Sequence, residues 1–155
     1  MYKVCAFFGH SMFVECRLNY DKLKEYIKCF ISVGFSTFLV GTHGEFDKIC
    51  LRACLDLKET YPDIKICKVY SNISSLLKET YTNDKIEYIS YPVEHLHYKQ
   101  RITQTNRFMV DDADLIICFV DKTMTNSGAL KAVRYAKKQG KIVMNLFNTA
   151  QKTNK

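Results

Sequence analysis

No stretch of this 155-residue chain follows the G-x-G-x-x-G or Walker pattern, so the standard dinucleotide and P-loop signatures are absent. No apolar run approaches the roughly 18 to 20 residues that span a bilayer. The N-terminus lacks a basic segment followed by an apolar one and a small-residue cleavage site, so no signal peptide is expected. Proline (two) and glycine (six) are scarce, and there is no repeat, low-complexity segment or linker. With 47% apolar and 25% charged residues, disordered and fibrous classes are excluded. One domain is expected over residues 1–148, followed by a basic tail over 149–155, in a soluble cytoplasmic protein with no membrane partner.

Acidic residues are missing from one end. From Leu130 onward there are seven basic residues and no acidic one, which leaves 16 of each over Met1 to Ala129 and accounts for the whole net charge of +7. On the expected last helix Lys131, Arg134 and Lys138 lie opposite Ala129, Ala132, Val133 and Ala136 at 100° per residue. The stripe therefore reads as a solvated helix back, and nucleic acid is not the expected partner. Cysteine is plentiful: Cys5, Cys16, Cys29, Cys50, Cys54, Cys67 and Cys118 form an odd, scattered set in apolar runs, which reads as reduced thiols acting as small hydrophobes. The Cys50-x-x-x-Cys54 pair falls on an apolar helix face and His95-x-His97 has no partner at zinc-finger spacing, so no metal or cofactor is expected.

Strand and helix patterns alternate along the chain. Tyr2–Phe8, ending at Gly9, reads as a buried first strand, and Leu23, Tyr26, Ile27, Phe30 and Ile31 form one helical stripe behind an Asn19 cap and before Gly34. Ser36–Val40 is a second strand. Phe46, Ile49, Cys50, Ala53, Cys54 and Leu57 share a helix face, and Ile64–Tyr70 follows as a strand. Ser71–Thr82 reads as helical or partly looped and Ile86–Ile89 as a short strand. Tyr98–Ala113 reads as a helix with Ile102, Thr105, Met109 and Ala113 inward. Leu115–Val120 is unbroken and apolar, as a strand covered on both faces must be. Gly128–Gln139 is a helix closed by Gly140, and Ile142–Phe147 is the last strand. Such alternation implies an α/β fold, a single three-layer Rossmann-like domain with a mainly parallel sheet.

Open parallel sheets bind ligands at the carboxyl ends of their strands, where strand order reverses. Three such ends carry small, polar or glycine residues: Gly9-His10-Ser11, Gly41-Thr42-His43-Gly44 and Thr125-Asn126-Ser127-Gly128. Glycines admit close backbone approach and helix N-termini offer free N–H groups, so a phosphate or carboxylate is the natural ligand. Phe7-Phe8-Gly9-His10, Val40-Gly41-Thr42-His43-Gly44-Glu45-Phe46-Asp47, and Thr105-Asn106-Arg107-Phe108-Met109 before Ala113-Asp114-Leu115-Ile116-Ile117 together resemble the SLOG superfamily. These are Rossmann-like domains related to the LOG phosphoribohydrolases and to the DNA-processing protein DprA, and the likeness is to the small YpsA-like branch. It runs over about Tyr2 to Leu146. It implies a pocket for a nucleotide or nucleotide-derived ligand, with the loop before the last helix holding phosphate. The P-G-G-x-G-T-x-x-E stretch of the LOG enzymes is replaced here by Asn126-Ser127-Gly128-Ala129-Leu130-Lys131, without the proline, two of the glycines or the glutamate. Phosphate binding needs only backbone N–H groups and survives that change.

Several residues carry two readings. Glu45 suits acid/base or nucleophilic work at a ribosyl bond, but Thr42-His43-Gly44-Glu45 also fits a capping box with Thr42 as N-cap. Glu94 is either a second carboxylate at the crevice or a solvated loop residue. His10 and His43, at adjacent strand ends, are a pair for one ligand or ordinary loop histidines. Asn106 and Arg107 are phosphate partners or surface groups. Ser127 and Gly128 make an anion cradle or a plain helix cap. The leading function is binding or sensing of a nucleotide-derived small molecule. The alternatives are N-ribosidic hydrolysis or transfer on a nucleotide, and a nucleic-acid binding module. A homodimer is expected from the fold class alone.

Overall fold

The computed structural model describes residues 3–10, 18–79, 83–123 and 127–147. Ser11, Cys16, Thr125 and Asn126 lie outside them. The elements are β1 (Lys3–Gly9), α1 (Tyr20–Ser32), β2 (Phe35–Val40), α2 (Glu45–Lys58), β3 (Lys65–Tyr70), α3 (Ile73–Lys78), β4 (Ile86–Ser90), α4 (Tyr98–Asp112), β5 (Leu115–Phe119), α5 (Gly128–Lys138) and β6 (Ile142–Asn145). All six strands are parallel, in the order β4-β3-β2-β1-β5-β6. This is the three-layer Rossmann-like α/β arrangement that the alternation implied.

The sheet is covered on both faces, and the side-chain period of two divides each central strand between two cores. Cys5 and Phe7 of β1, with Leu115, Ile117 and Phe119 of β5, meet Leu23, Ile27, Phe46 and Ile49 of α1 and α2. Ala6, Phe8, Ile116 and Cys118 meet Met109 and Val110 of α4 and Leu130, Ala132, Val133 and Ala136 of α5. Continuous apolar sequence in β5 is thus the consequence of having no solvent face.

Local signals set most boundaries. The Asn19 side chain accepts the Lys22 N–H at the start of α1, and Gly34 beyond its end sits at φ +107°. Gly140 takes φ +75° after α5. The segment after β3, expected to be helical or partly looped, contains the short α3, capped by Asn72. Three expectations differ from the structure. Ile102 is 40% exposed, and Val110 is buried on α4 instead, because the inward face of that helix is set by Thr105, Met109 and Val110. The last strand stops at Asn145, whose side chain accepts the Val120 N–H and donates to the Val120 carbonyl while also accepting the Phe147 N–H. Finally, α2 begins at Glu45 behind Gly44, not behind Thr42, and no side chain caps it at that position.

Gly9 is where packing needs a missing side chain. A Cβ there would lie 2.3 Å from the Phe46 ring, which is fully buried between β1 and α2 and stacks on Phe119 at 6.1 Å. A Cβ on Gly128 would meet nothing within 4 Å. Gly9→Ala is therefore expected to lower the unfolding free energy in urea by about 1–3 kcal/mol through displacement of Phe46. Gly128→Ala is expected to leave it unchanged or to raise it by up to about 1 kcal/mol.

Candidate functional site

The chain winds outward from β1 to β4, then crosses back to β5 on the other side of β1. The carboxyl ends of β1 and β5 therefore diverge into opposite crossovers and open a crevice between them. His10, the first residue past β1 and only 5% exposed, stands at that point. Its Nε2 accepts the backbone N–H of Asp121 at 2.8 Å, and its Nδ1 lies 2.9 Å from Ser127 Oγ. An Nε2 that accepts from an amide carries no proton, so a neutral His10 must hold its proton on Nδ1 and donate to Ser127. Burial lowers the His10 pKa, opposed by the nearby Asp121, and favours that neutral form.

Ser127 is the N-cap of α5, and its Oγ also accepts the Leu130 N–H at 3.2 Å. With two N–H groups aimed at its oxygen, the hydroxyl proton of Ser127 has no acceptor among the described residues. The Gly128 and Ala129 N–H groups fall in the first turn, where a helix supplies no carbonyl partners. Ser127 thus presents an O–H donor beside uncapped amides at the positive end of a helix. That combination suits an oxyanion.

A second cluster lies on the other side of β1. His43 Nε2 meets Ser71 Oγ at 3.0 Å, tying the end of β2 to the end of β3, and burial lowers the His43 pKa. The His43 backbone N–H donates to Asp47 Oδ2 at 2.9 Å. Asp47 is the third residue of α2, and its carboxylate reaches back past the Gly44 N-cap to the amide of the residue before it. A Cβ on Gly41 would come within 3.0 Å of the same carboxylate oxygen. His10 and His43 occupy neighbouring strand ends yet hydrogen-bond in opposite directions, toward β5 and β3 respectively, and so do not converge as a pair.

The two glutamates singled out from sequence have structural partners. Glu45 is exposed on the first turn of α2 and pairs with Lys48 at 3.2 Å. Glu94 accepts the Ile73 N–H at 3.0 Å and pairs with Arg101 at 3.6 Å, which ties the loop before α4 to α3. Asn106 and Arg107 do approach α5: they line a groove of about 310 Å³ together with Gly128, and the Arg107 guanidinium lies 5.4 Å from the Tyr135 ring centre. Burial pushes the Cys67 thiol up to about 11 and Cys118 up to about 12, so neither is a thiolate at neutral pH. Among the described residues no group of three His, Cys, Asp or Glu side chains is placed to hold a metal ion, and no helix is long and apolar enough to cross a membrane.

Sequence reading missed Asp47, Asp121 and Ser71. The signal for Asp47 was present in Gly44-x-x-Asp47, a glycine N-cap with an acid three residues on, but Thr42-x-x-Glu45 matched a helix-start rule two residues earlier. The Asp121 contribution is a backbone amide, which side-chain patterns do not reveal. No protein-family model matches this sequence, and no curated protein matches it either.

Burial raises the Asp47 carboxyl from the ordinary 3.8 to about 6, with the His43 N–H opposing the shift. Between those values the folded state holds a proton that the unfolded chain has lost, so stability falls as pH rises through the window. Asp47→Asn keeps an acceptor for His43 and removes the half-buried charge. It is expected to be more stable than wild type by about 1–3 kcal/mol at neutral pH, an advantage that disappears below about pH 4. Urea midpoints across that range measure it.

Proposed function

We propose that the crevice between β1 and β5 binds the phosphate of a nucleotide or nucleotide-derived small molecule, which the protein senses or sequesters. The observation that carries this reading is the His10–Ser127 hydrogen bond at 2.9 Å, because it commits the Ser127 hydroxyl to donating outward at the N-terminus of α5. Charge-assisted hydrogen bonds from that hydroxyl and the adjacent amides are worth roughly 1.5–3 kcal/mol each. The resemblance of the Gly9-His10 and Thr105–Met109 segments to the SLOG superfamily supports a nucleotide as the carrier of the phosphate.

Nucleotides, cyclic nucleotides and ADP-ribose derivatives, tested in a thermal-shift panel, should include at least one that raises Tm. At about 100 times its Kd a ligand adds roughly 2.7 kcal/mol to stability. Ser127→Ala should reduce that shift, and it costs the unliganded protein about 1 kcal/mol for the lost cap and about 1–3 kcal/mol for the His10 N–H left without its acceptor. A panel with no stabilising member at millimolar concentration contradicts the reading.

Asp47 favours a second reading, cleavage or transfer at an N-ribosidic bond. A half-buried carboxyl near 6 in the first turn of α2 lies in the range where an acid can give up or take a proton at neutral pH. Release of free base from a nucleoside monophosphate, lost in Asp47→Asn but kept in Glu45→Gln, supports this version.

A further inference from the structure

Positive charge on this protein is distributed in two unlike ways. On the α1, α2, β3 and β4 side, five lysines are matched to carboxylates, Lys24 with Asp56, Lys48 with Glu45, Lys65 with Glu87, Lys68 with Glu79 and Lys85 with Glu59, while among the described residues Lys22 and Lys28 stand singly on α1. On α5, Lys131, Arg134 and Lys138 have no ion-pair or hydrogen-bond partner among the described residues. All three are exposed and line one wall of the groove between α4 and α5, and Arg107 stands on the other wall. Among the described residues no carboxylate lines that groove. The expected solvated helix back is therefore one side of a cleft.

Four like charges gathered in one concavity repel one another, and a bound anion relieves that repulsion while low-dielectric walls focus their field. The shape of the cation set restricts the anion. From Gly128 to Lys138 the helix rises about 15 Å, with Lys131, Arg134 and Lys138 one turn apart along it. A single phosphate can neutralise one end of such a row and leaves the rest unmatched. A linear chain with phosphates repeated every several ångströms matches all of it. The Tyr135 ring is covered by Arg107 on one face and its hydroxyl is held by Asp111 at 2.7 Å, so the recognisable feature is charge more than a free stacking platform.

We propose that the α4–α5 groove binds a linear phosphate chain along the Arg107, Lys131, Arg134 and Lys138 row. This site is separate from the crevice, with which it shares only the Gly128 end. Single-stranded nucleic acid and inorganic polyphosphate both present this chemistry, and direct comparison separates them.

The test is fluorescence anisotropy with a labelled oligothymidylate of roughly 12 nucleotides, with inorganic polyphosphate and thymidine monophosphate as competitors. Binding to the wild-type protein is expected to weaken about 20- to 50-fold between about 50 and 200 mM salt, as three to four phosphate contacts require. Arg134→Glu with Lys138→Glu should weaken it by about tenfold or more at unchanged Tm. Lys22→Glu with Lys28→Glu, exposed on α1, makes the same change in net charge and should have little effect. Competition by polyphosphate but not by the monophosphate shows that the chain alone is recognised. Oligothymidylate that polyphosphate fails to displace identifies nucleic acid as the source. Absence of binding by both chains, or equal loss in the α1 and α5 variants, overturns the proposal.

Discussion

The hydrogen bond from the Asp121 amide to His10 Nε2 governs the rest of the candidate site. It links the carboxyl ends of the two strands that flank the reversal in strand order, and it fixes which imidazole nitrogen carries the proton. That proton reaches Ser127, and Ser127 in turn caps the helix whose first amides face the crevice. A chain of three contacts thus connects the central strand to a helix N-terminus more than a hundred residues away in sequence. Protonated His10 would oppose two N–H groups at Nε2, so the arrangement belongs to the neutral ring.

The fold was legible in the sequence because each element announces itself locally. Apolar alternation or continuity marks the strands, the helical stripes mark the helices, and Asn19, Gly34, Ser127 and Gly140 mark their ends. Where local signals compete, reading fails: Thr42-x-x-Glu45 and Gly44-x-x-Asp47 are overlapping helix-start patterns, and the helix begins behind Gly44. Gly9 itself invites a ligand-approach reading, while the structure gives it to a phenylalanine ring. The candidate site was half legible. Its residue types and loops were identifiable, but the direction in which His10 and His43 point depends on neighbours on different strands, and a one-dimensional pattern has no term for that.

Charge shows the same division between composition and placement. The neutral balance of residues 1–129 includes six ion pairs among the described residues. The excess on the last helix has no counterpart because no acidic residue follows Asp121. Desolvation of the buried His10, of His43 and of the half-buried Asp47 acts in contrary directions on acidification: the histidines lose stability as they gain protons below their ordinary range, while Asp47 is relieved by its proton.

Asn145 has a role beyond ending β6. A parallel sheet whose last strand stops short leaves an amide and a carbonyl bare on its neighbour, and such pairs are templates for another chain's strand. The Asn145 side chain satisfies both groups of Val120 at once, at 3.1 and 2.9 Å, imitating the next residue of a strand that has already turned away. A carboxamide thereby serves as a blunt end to the hydrogen-bonding ladder between β5 and β6.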